Sequence, residues 1–306
     1  MAVKDTGLNE YGLKSEFTQA LEAASSHWAD LATPIKSNND SETYAWMGSV
    51  PQLREWKTGR KAVGIFSEKY SVDNLKYEST IEVDRDEISD DQTGQIRLRV
   101  RQLASRADSH KDMLISDLLA NGHSTGFNSY DGVPFFSASH ESGKSGAQSN
   151  ILTPVAVDAD APTSAEFRTA LGAGITKLLQ LLDNQGQPMA QSAEGLVCVV
   201  PAGMYLTALE AMNQTTVAGT TNVLANAAQV LAFPRLTDAS KWFLLKTDVT
   251  LRPFIFQDRE PMEFKALAEG SSEDFFREKH YYGVRARYRM TYGYWQLAVS
   301  LNFTEA

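Results

Sequence analysis

The sequence holds a single cysteine, Cys198, only five histidines, and no long apolar run in its 306 residues. One cysteine excludes an intrachain disulfide and any cysteine-rich zinc or iron–sulfur site. Cys198 lies in the apolar stretch Gly195–Val200 and reads as a small core residue; the sparse usage suits a reducing compartment. The histidines are scattered, with no spacing that would gather metal ligands. No segment approaches the ~18 to 20 apolar residues that cross a membrane, and the opening Met-Ala-Val-Lys-Asp lacks the apolar core of a signal peptide. Positive charge is in deficit too: 29 basic against 38 acidic residues give a formal charge of −9. Gripping nucleic acid as a main task needs clustered Lys and Arg, so the charge argues against that class while leaving weak contact open. What is present is ordinary for a globular protein, 42% hydrophobic and 22% charged. The length allows about two domains and a core large enough to need neither staple nor metal.

Residues 9–32 carry Leu13, Phe17, Leu21, Ala24, Trp28 and Leu31 at spacings of three and four, which predicts one amphipathic helix closed by Pro34. A polar linker, 36–42, leads to an aromatic cluster of Tyr44, Trp46 and Trp56. Tyr77, Ile81 and Val83 then alternate with charged or polar residues, a strand period. With a preceding strand over 63–71 and a turn at Asp73-Asn74, they predict a charged β-hairpin with too few large side chains to stand as a core sheet. The expectation is that it projects, and that its tip, Val72 to Leu75, is dispensable for the subunit's own fold. Asp90-Asp91 is read as the N-cap of a long helix running to Asn121-Gly122, with Leu103, Leu114 and Leu118 buried on one face. A short strand is expected at 133–136, before a Ser/Gly-rich loop, 137–150. Thr163 and Glu166 have capping-box spacing ahead of a helix marked by Phe167, Leu171, Ile175, Leu178 and Leu182. A buried strand at 196–200, a helix opened by Pro201, short strands at 229–233 and 242–246, and a strand at 284–290 with one apolar and one basic face complete an α+β chain without internal repeats.

Motifs for catalysis nearly match and then fail. Gly143-Lys144-Ser145 resembles the end of a phosphate-binding loop, but Ala138 stands where its first glycine belongs. Gly172-Ala173-Gly174 lies inside a helical pattern and lacks the third glycine. The run Asp84–Asp91 has Ser89 where a calcium loop needs glycine, and Arg85 among its carboxylates; it reads as a solvated, partner-seeking acidic stretch. Ser137, Ser139 and His140 have no nucleophile elbow and no acid partner that sequence can name, so replacing any of the three by alanine is expected to leave the yield of assembled particles within a few-fold of wild type.

A different signal lies in the ordered set Glu42–Trp56, Tyr77–Ile88, Asp90-Asp-Gln-Thr-Gly94, and Tyr130-Asp-Gly-Val-Pro-Phe-Phe-Ser137 with His140. This set resembles the major head subunit of Mu-like phages and prophages, the gpT family. The likeness is collinear to the C-terminus, where Tyr292-Gly-Tyr-Trp-Gln296 fits the closing strand; it departs at Glu141, where the family pattern has proline. The resemblance implies an α+β major capsid fold, the one shared by tailed phages, herpesviruses and encapsulins. Residues 1–45 would form an N-terminal arm. Residues 46–162 would begin the peripheral domain, with an extended E-loop at 57–88 and a spine helix at 91–121. Residues 163–254 would be the axial domain, and 255–306 would complete the peripheral domain.

The implied function is structural, with no catalytic residue, cofactor or metal: self-association as pentamers and hexamers into an icosahedral shell around double-stranded DNA, held without sequence-specific contact. Family partners would be a scaffold, a prohead protease and a portal. The product would be a virion assembled in the bacterial host cytoplasm, with no membrane involved. Lys69, Val72, Asp73, Asn74, Leu75, Lys76, Arg85, Asp86, Asp90 and Asp91 are the residues expected to meet a neighbouring subunit. The alternatives are an encapsulin-like compartment around an enzyme, a serine hydrolase using Ser137 or Ser139 with His140, and a tail or baseplate protein.

Overall fold

The computed structural model describes residues 10–44, 47, 70–90, 94–214, 216–217 and 220–306. Helix α1 (Glu10–Glu22) is followed by a short α2 (Trp28–Leu31), then strands β1 (Ala32–Lys36), β2 (Ser41–Thr43), β3 (Ser71–Asp73) and β4 (Leu75–Asp84). Helices α3 (Arg85–Asp90) and α4 (Gln95–Asn121) lead to four two-residue strands, β5 (His140–Glu141), β6 (Ala147–Gln148), β7 (Ile151–Leu152) and β8 (Val155–Ala156). Next come α5 (Ser164–Gln180), β9 (Leu196–Val200), α6 (Tyr205–Asn213), a small hairpin of β10 (Thr216–Val217) and β11 (Thr220–Thr221), then β12 (Gln229–Ala232) and β13 (Lys241–Lys246). The chain closes with β14 (Phe254–Leu267), α7 (Ser272–Arg277), β15 (Lys279–Tyr292), β16 (Ala298–Asn302) and β17 (Thr304–Glu305).

Two sheets organise these elements. One has the order β1-β14-β15-β4 and is built on the long antiparallel β14–β15 hairpin, with β1 parallel to β14 at one edge. The other has the order β12-β9-β13-β16-β7 and is covered by α5 and α6. The capping box of α5 forms as its spacing predicts: Thr163 accepts from the Glu166 amide while Glu166 reaches back to the Thr163 amide. The second sheet is apolar on both faces, as its run Leu196-Val-Cys-Val-Val200 requires, and Phe167 of α5 stacks on Trp242 of β13 at 4.4 Å. A smaller, outer cluster joins Leu13 and Phe17 of α1, Ile96, Val100 and Leu103 of α4, Val83 of β4, and Phe264 and Tyr282 of the hairpin.

The predicted N-terminal helix is broken. It stops at Glu22, resumes only for Trp28–Leu31, and Pro34 sits within β1. Proline is tolerated there because β1 is an edge strand, where a missing N–H costs no ladder bond. The long helix starts at Gln95, later than read. Asp90 ends the separate helix α3, Asp91 lies outside the described residues, and the cap position is Gly94, whose φ of 74° suits glycine. Its buried face drifts as 3.6-residue periodicity demands. Ile96, Val100 and Leu103 face the outer cluster, while Ile115, Leu118 and Leu119 face the main core; Leu114 is only partly covered. No strand forms at 133–136 beyond a single bridge between Asn128 and Pro134.

The hairpin reading needs the largest correction. Asp73-Asn74 is a joint between two successive strands, not a turn. β3 pairs with β2, and β4 pairs along its whole length with β15, from Lys279↔Asp84 to Tyr288↔Leu75. Of the expected partner strand, 63–71, residues 63–69 lie outside the described residues, as do Trp46 and Trp56. Val72 is buried in the main core. The fully buried amide of Gln257 donates to the Val72 carbonyl and to Asn74 Oδ1, at 3.2 and 2.8 Å, and accepts from Tyr44 Oη at 2.7 Å. Asn74 Nδ2 donates in turn to Ser37 Oγ and the Asn39 carbonyl, both at 2.9 Å. The 72–75 segment is thus part of the subunit's own framework, and it is not dispensable.

Candidate functional site

The motif that carries the family resemblance folds into one buried polar knot. The loop from Tyr130 to Ser137 turns at Gly132, whose φ of 82° suits glycine, and drops Phe135 onto Tyr292 at 4.2 Å and nearly parallel. His140 is fully buried and stacks on Trp295, 4.0 Å away with 5° between the rings. Its Nδ1 lies 2.6 Å from Asp131 Oδ2, and its Nε2 lies 3.2 Å from the Phe135 carbonyl. A carbonyl only accepts, so Nε2 carries a hydrogen and donates it. Asn150 donates to the same carbonyl at 2.8 Å, accepts from the Ser137 amide at 2.9 Å, and receives the Ser300 amide on its own carbonyl. Gln296 Nε2 donates to Tyr130 Oη at 2.8 Å, and Tyr292 Oη donates to the Leu118 carbonyl at 2.7 Å. Burial pushes the Tyr130 and Tyr292 phenols far above their usual range, so both stay neutral. Gly293 completes the motif: any Cβ there would meet the Arg252 carbonyl at 2.4 Å.

This geometry answers the hydrolase alternative. Both imidazole nitrogens of His140 are engaged. Ser137 Oγ meets Ser139 Oγ at 3.3 Å and accepts from the Ser139 amide at 3.2 Å, and the ring is turned to other partners. No nucleophile–base pair forms among these three residues. His140 is also not a loop residue that tolerates replacement, because it is the centre of the knot. Sequence could not pair it with Asp131 or Trp295, the latter being 155 positions further along the chain. The one available signal was that Tyr130–His140 and Tyr292–Gln296 both belonged to the recognised pattern. Among the described residues no group of three or more His, Cys, Asp and Glu is placed to hold a metal ion, and no helix is long and apolar enough to cross a membrane.

A half-buried histidine behaves differently. His123 stacks on Phe136 at 5.1 Å, and neither ring nitrogen has a hydrogen-bond partner among the described residues. Burial pushes its pKa down to about 4, with the Lys241 charge adding to the effect. The folded form therefore binds its proton less readily than the unfolded chain, whose value is 6.5. The stabilisation is complete above that value and is lost as pH falls from 6.5 towards 4. Allowing for the ring's partial exposure, the loss is about 1–2 kcal/mol. Denaturant unfolding at pH 7 and pH 4.5 should show this extra drop in wild type and not in His123→Leu; equal drops would remove His123 as the cause.

The residues expected at a subunit contact do not form one patch. Val72 and Asn74 are committed inside the chain, as described. Asp73 and Lys76 are exposed beside the half-covered Leu75 at one end of β4. Arg85 and Asp86 are exposed at the other end, about 30 Å away for a ten-residue strand, and Arg85 lies 3.8 Å from Asp274. Lys69 and Asp91 fall outside the described residues, and the side chain of Asp90 does too. A feature missed in the sequence stands at the tip of the long hairpin: Phe275 and Phe276 on α7 are 80% and 78% exposed. The only signal would have been two adjacent aromatics in the polar run Ser271–Glu278.

Comparison with known proteins converges on one family. The chain is 25% identical over 288 residues to the Mu-like prophage FluMu major head subunit of Haemophilus influenzae, covering 94% of this chain and 70% of that protein. It is 32% identical over 127 residues to the major capsid protein of Escherichia phage Mu, covering 42% of this chain and 41% of that one. Among solved structures, the procapsid subunit of bacteriophage JBD30 aligns with a TM-score of 0.56 at 25% identity, over 95% of this chain and 72% of its own. A virus-like particle from Pyrococcus furiosus shares the fold alone, with a TM-score of 0.56 at 10% identity over 96% of this chain and 100% of its own. The family pattern described as Mu-like prophage major head subunit gpT matches residues 8–162 and 237–304, segments that contain both halves of the buried knot, and the chain belongs to that family.

Proposed function

We propose that this chain is the shell-forming subunit of a Mu-like phage or prophage head. It self-associates as pentamers and hexamers into an icosahedral shell that encloses double-stranded DNA. The observation that carries this reading is the family match on both sides of a fold whose solved relatives are assembled particles. The role is mechanical, with no catalysis by the subunit. A formal charge of −9 gives the wall a potential that holds DNA without gripping it, so no sequence-specific contact is made. Residues 163–254 form the axial domain in this reading, residues 46–162 with 255–306 the peripheral domain, and residues 1–45 an arm. The exposed ends of β4, with Asp73, Leu75 and Lys76 at one and Arg85 and Asp86 at the other, face neighbouring copies. Assembly takes place in the host cytoplasm with a scaffold, a prohead protease and a portal, and the product is the virion. The test is electron microscopy of the full chain, co-expressed with the other head genes of its prophage, together with a nuclease-protection assay on the particles. Closed shells containing protected DNA are expected. Soluble subunits that form no shell, or shells filled with an enzyme instead of DNA, would overturn the reading.

A further inference from the structure

Scattered apolar side chains such as Leu206 and Val223 are exposed singly, which is ordinary for a protein surface. Phe275 and Phe276 are different. They are adjacent, four-fifths exposed, and in edge-to-face contact with each other at 5.1 Å on a short helix held at the end of a rigid hairpin. The helix is fixed from below: Ser271 caps it, and Asp274 is buried against His280 at 3.0 Å and the Gly270 amide at 3.1 Å. Two rings thus stand on a built support, pointing away from the protein that supports them. Large exposed aromatic surface of this kind marks a contact.

The same chain carries a receptacle. Between α4 and the β4–β15 face lies an open cavity of about 240 Å³, lined by Leu103, Ala107, Met262, Val284, Ala286 and the rings of Tyr77 and Tyr288. An apolar cavity of about 150 Å³ is already enough to take a benzene ring. Arg106, Glu78 and His110 also line it. Glu78 and Arg106 are exposed there, and no described residue pairs with the Arg106 guanidinium. His110 is turned inward, its Nδ1 2.7 Å from Tyr288 Oη. The helix tip has Arg277 and Glu278 exposed beside its rings. Arg277 is bridged to Glu273 on the same helix at 3.2 Å, so the charge left to meet the cavity is that of Glu278, which can face Arg106. The tip cannot reach the cavity of its own chain. Val284 to Tyr288 lie 8 to 12 residues along β15 from Phe276, about 25–40 Å away on a straight strand.

We propose that Phe275 and Phe276 of one copy dock into the α4–β15 cavity of the next, forming a head-to-tail contact between subunits. A knob and a socket at different places on one molecule make a heterologous interface, the kind that closes into rings when the rotation between copies allows. The inference rests on the proposed self-assembly and names one of its surfaces.

Cysteine trapping tests it, and the fully buried Cys198 leaves a clean background. With Arg277→Cys and Arg106→Cys in one full-length chain, mild oxidation should give a ladder of covalent multimers, while each single variant should stay monomeric on a denaturing gel. Dimers from Arg277→Cys alone would mean that tips meet tips, and would overturn the proposal, as would the absence of a ladder. Two further variants, Phe275→Ser/Phe276→Ser and the socket-filling Ala107→Trp, should each lower shell yield at least tenfold. The first should do so with unfolding within about 2 °C of wild type, because the rings contact no core. Wild type that forms no shells would count against the proposed function. Wild-type shells accompanied by equal yield from the Phe275/Phe276 variant would sink this contact alone.

Discussion

His140→Ala is expected to destabilise the subunit by about 3–5 kcal/mol and to leave most of it insoluble. Two costs add. Removing a fully buried ring stacked at 4.0 Å on Trp295 opens a cavity that the surrounding aromatics cannot collapse to fill. It also strips Asp131, whose side chain is 3% exposed, of the imidazole 2.6 Å from its carboxylate, and a buried carboxylate without its partner is among the more expensive defects a core can hold. The second cost predicts a rescue: Asp131→Asn should harm His140→Ala less than it harms wild type. Ser137→Ala and Ser139→Ala, which remove only weakly engaged hydroxyls, should stay within about 0.5 kcal/mol of wild type. Thermal unfolding and soluble yield of the five variants, the Asp131→Asn/His140→Ala double among them, decide the matter. A His140→Ala subunit that melts with wild type would show that the knot carries no stability.

Val100→Asp should be as damaging, through the outer cluster. Val100 is fully buried on α4 in the apolar cluster of Leu13, Phe17, Val83 and Phe264, which holds no charged side chain. A carboxylate there loses its water without gaining a hydrogen bond, at a cost of about 3–5 kcal/mol. The damage should be local at first: α1 and the far end of the β14–β15 hairpin should lose protection from hydrogen exchange before the five-stranded sheet does. Leu98→Asp, two positions away on the exposed face of the same helix, is the control and should unfold near wild type. If the two variants proved equally stable, the face assigned to this helix would be wrong.

How much of this was legible in the sequence depended on whether the deciding contact was local. The α5 helix was readable because Thr163 and Glu166 satisfy its N-terminus within four residues, and the 196–200 strand because every side chain in it is apolar. Pro34 was misread because its tolerance depends on β14, more than 200 residues away. Asp73-Asn74 has turn chemistry by composition, yet Gln257 holds it straight. The 133–136 run has strand-like residues, but its phenylalanines answer to Tyr292 and Phe243 and not to a ladder. For the knot, the sequence showed which residues mattered only through the resemblance, and nothing local showed that they meet.

The order in which strands enter the two sheets sets when a subunit can exist at all. Residues from Phe254 onward supply β14 and β15, the two inner strands of the first sheet, and β16, an inner strand of the second. Until they are synthesised, β1 and β4 are edges with nothing between them, and β7 has no neighbour in its sheet. Pairings across such sequence separations form late and slowly. A nascent or prematurely terminated chain is therefore left with open strand edges and an uncovered core, a species for chaperones and proteases. It also lacks the hairpin tip and half the socket. In a container built from many copies of one polypeptide, this order of synthesis works as an inspection step: fragments are excluded before they can join and leave a hole.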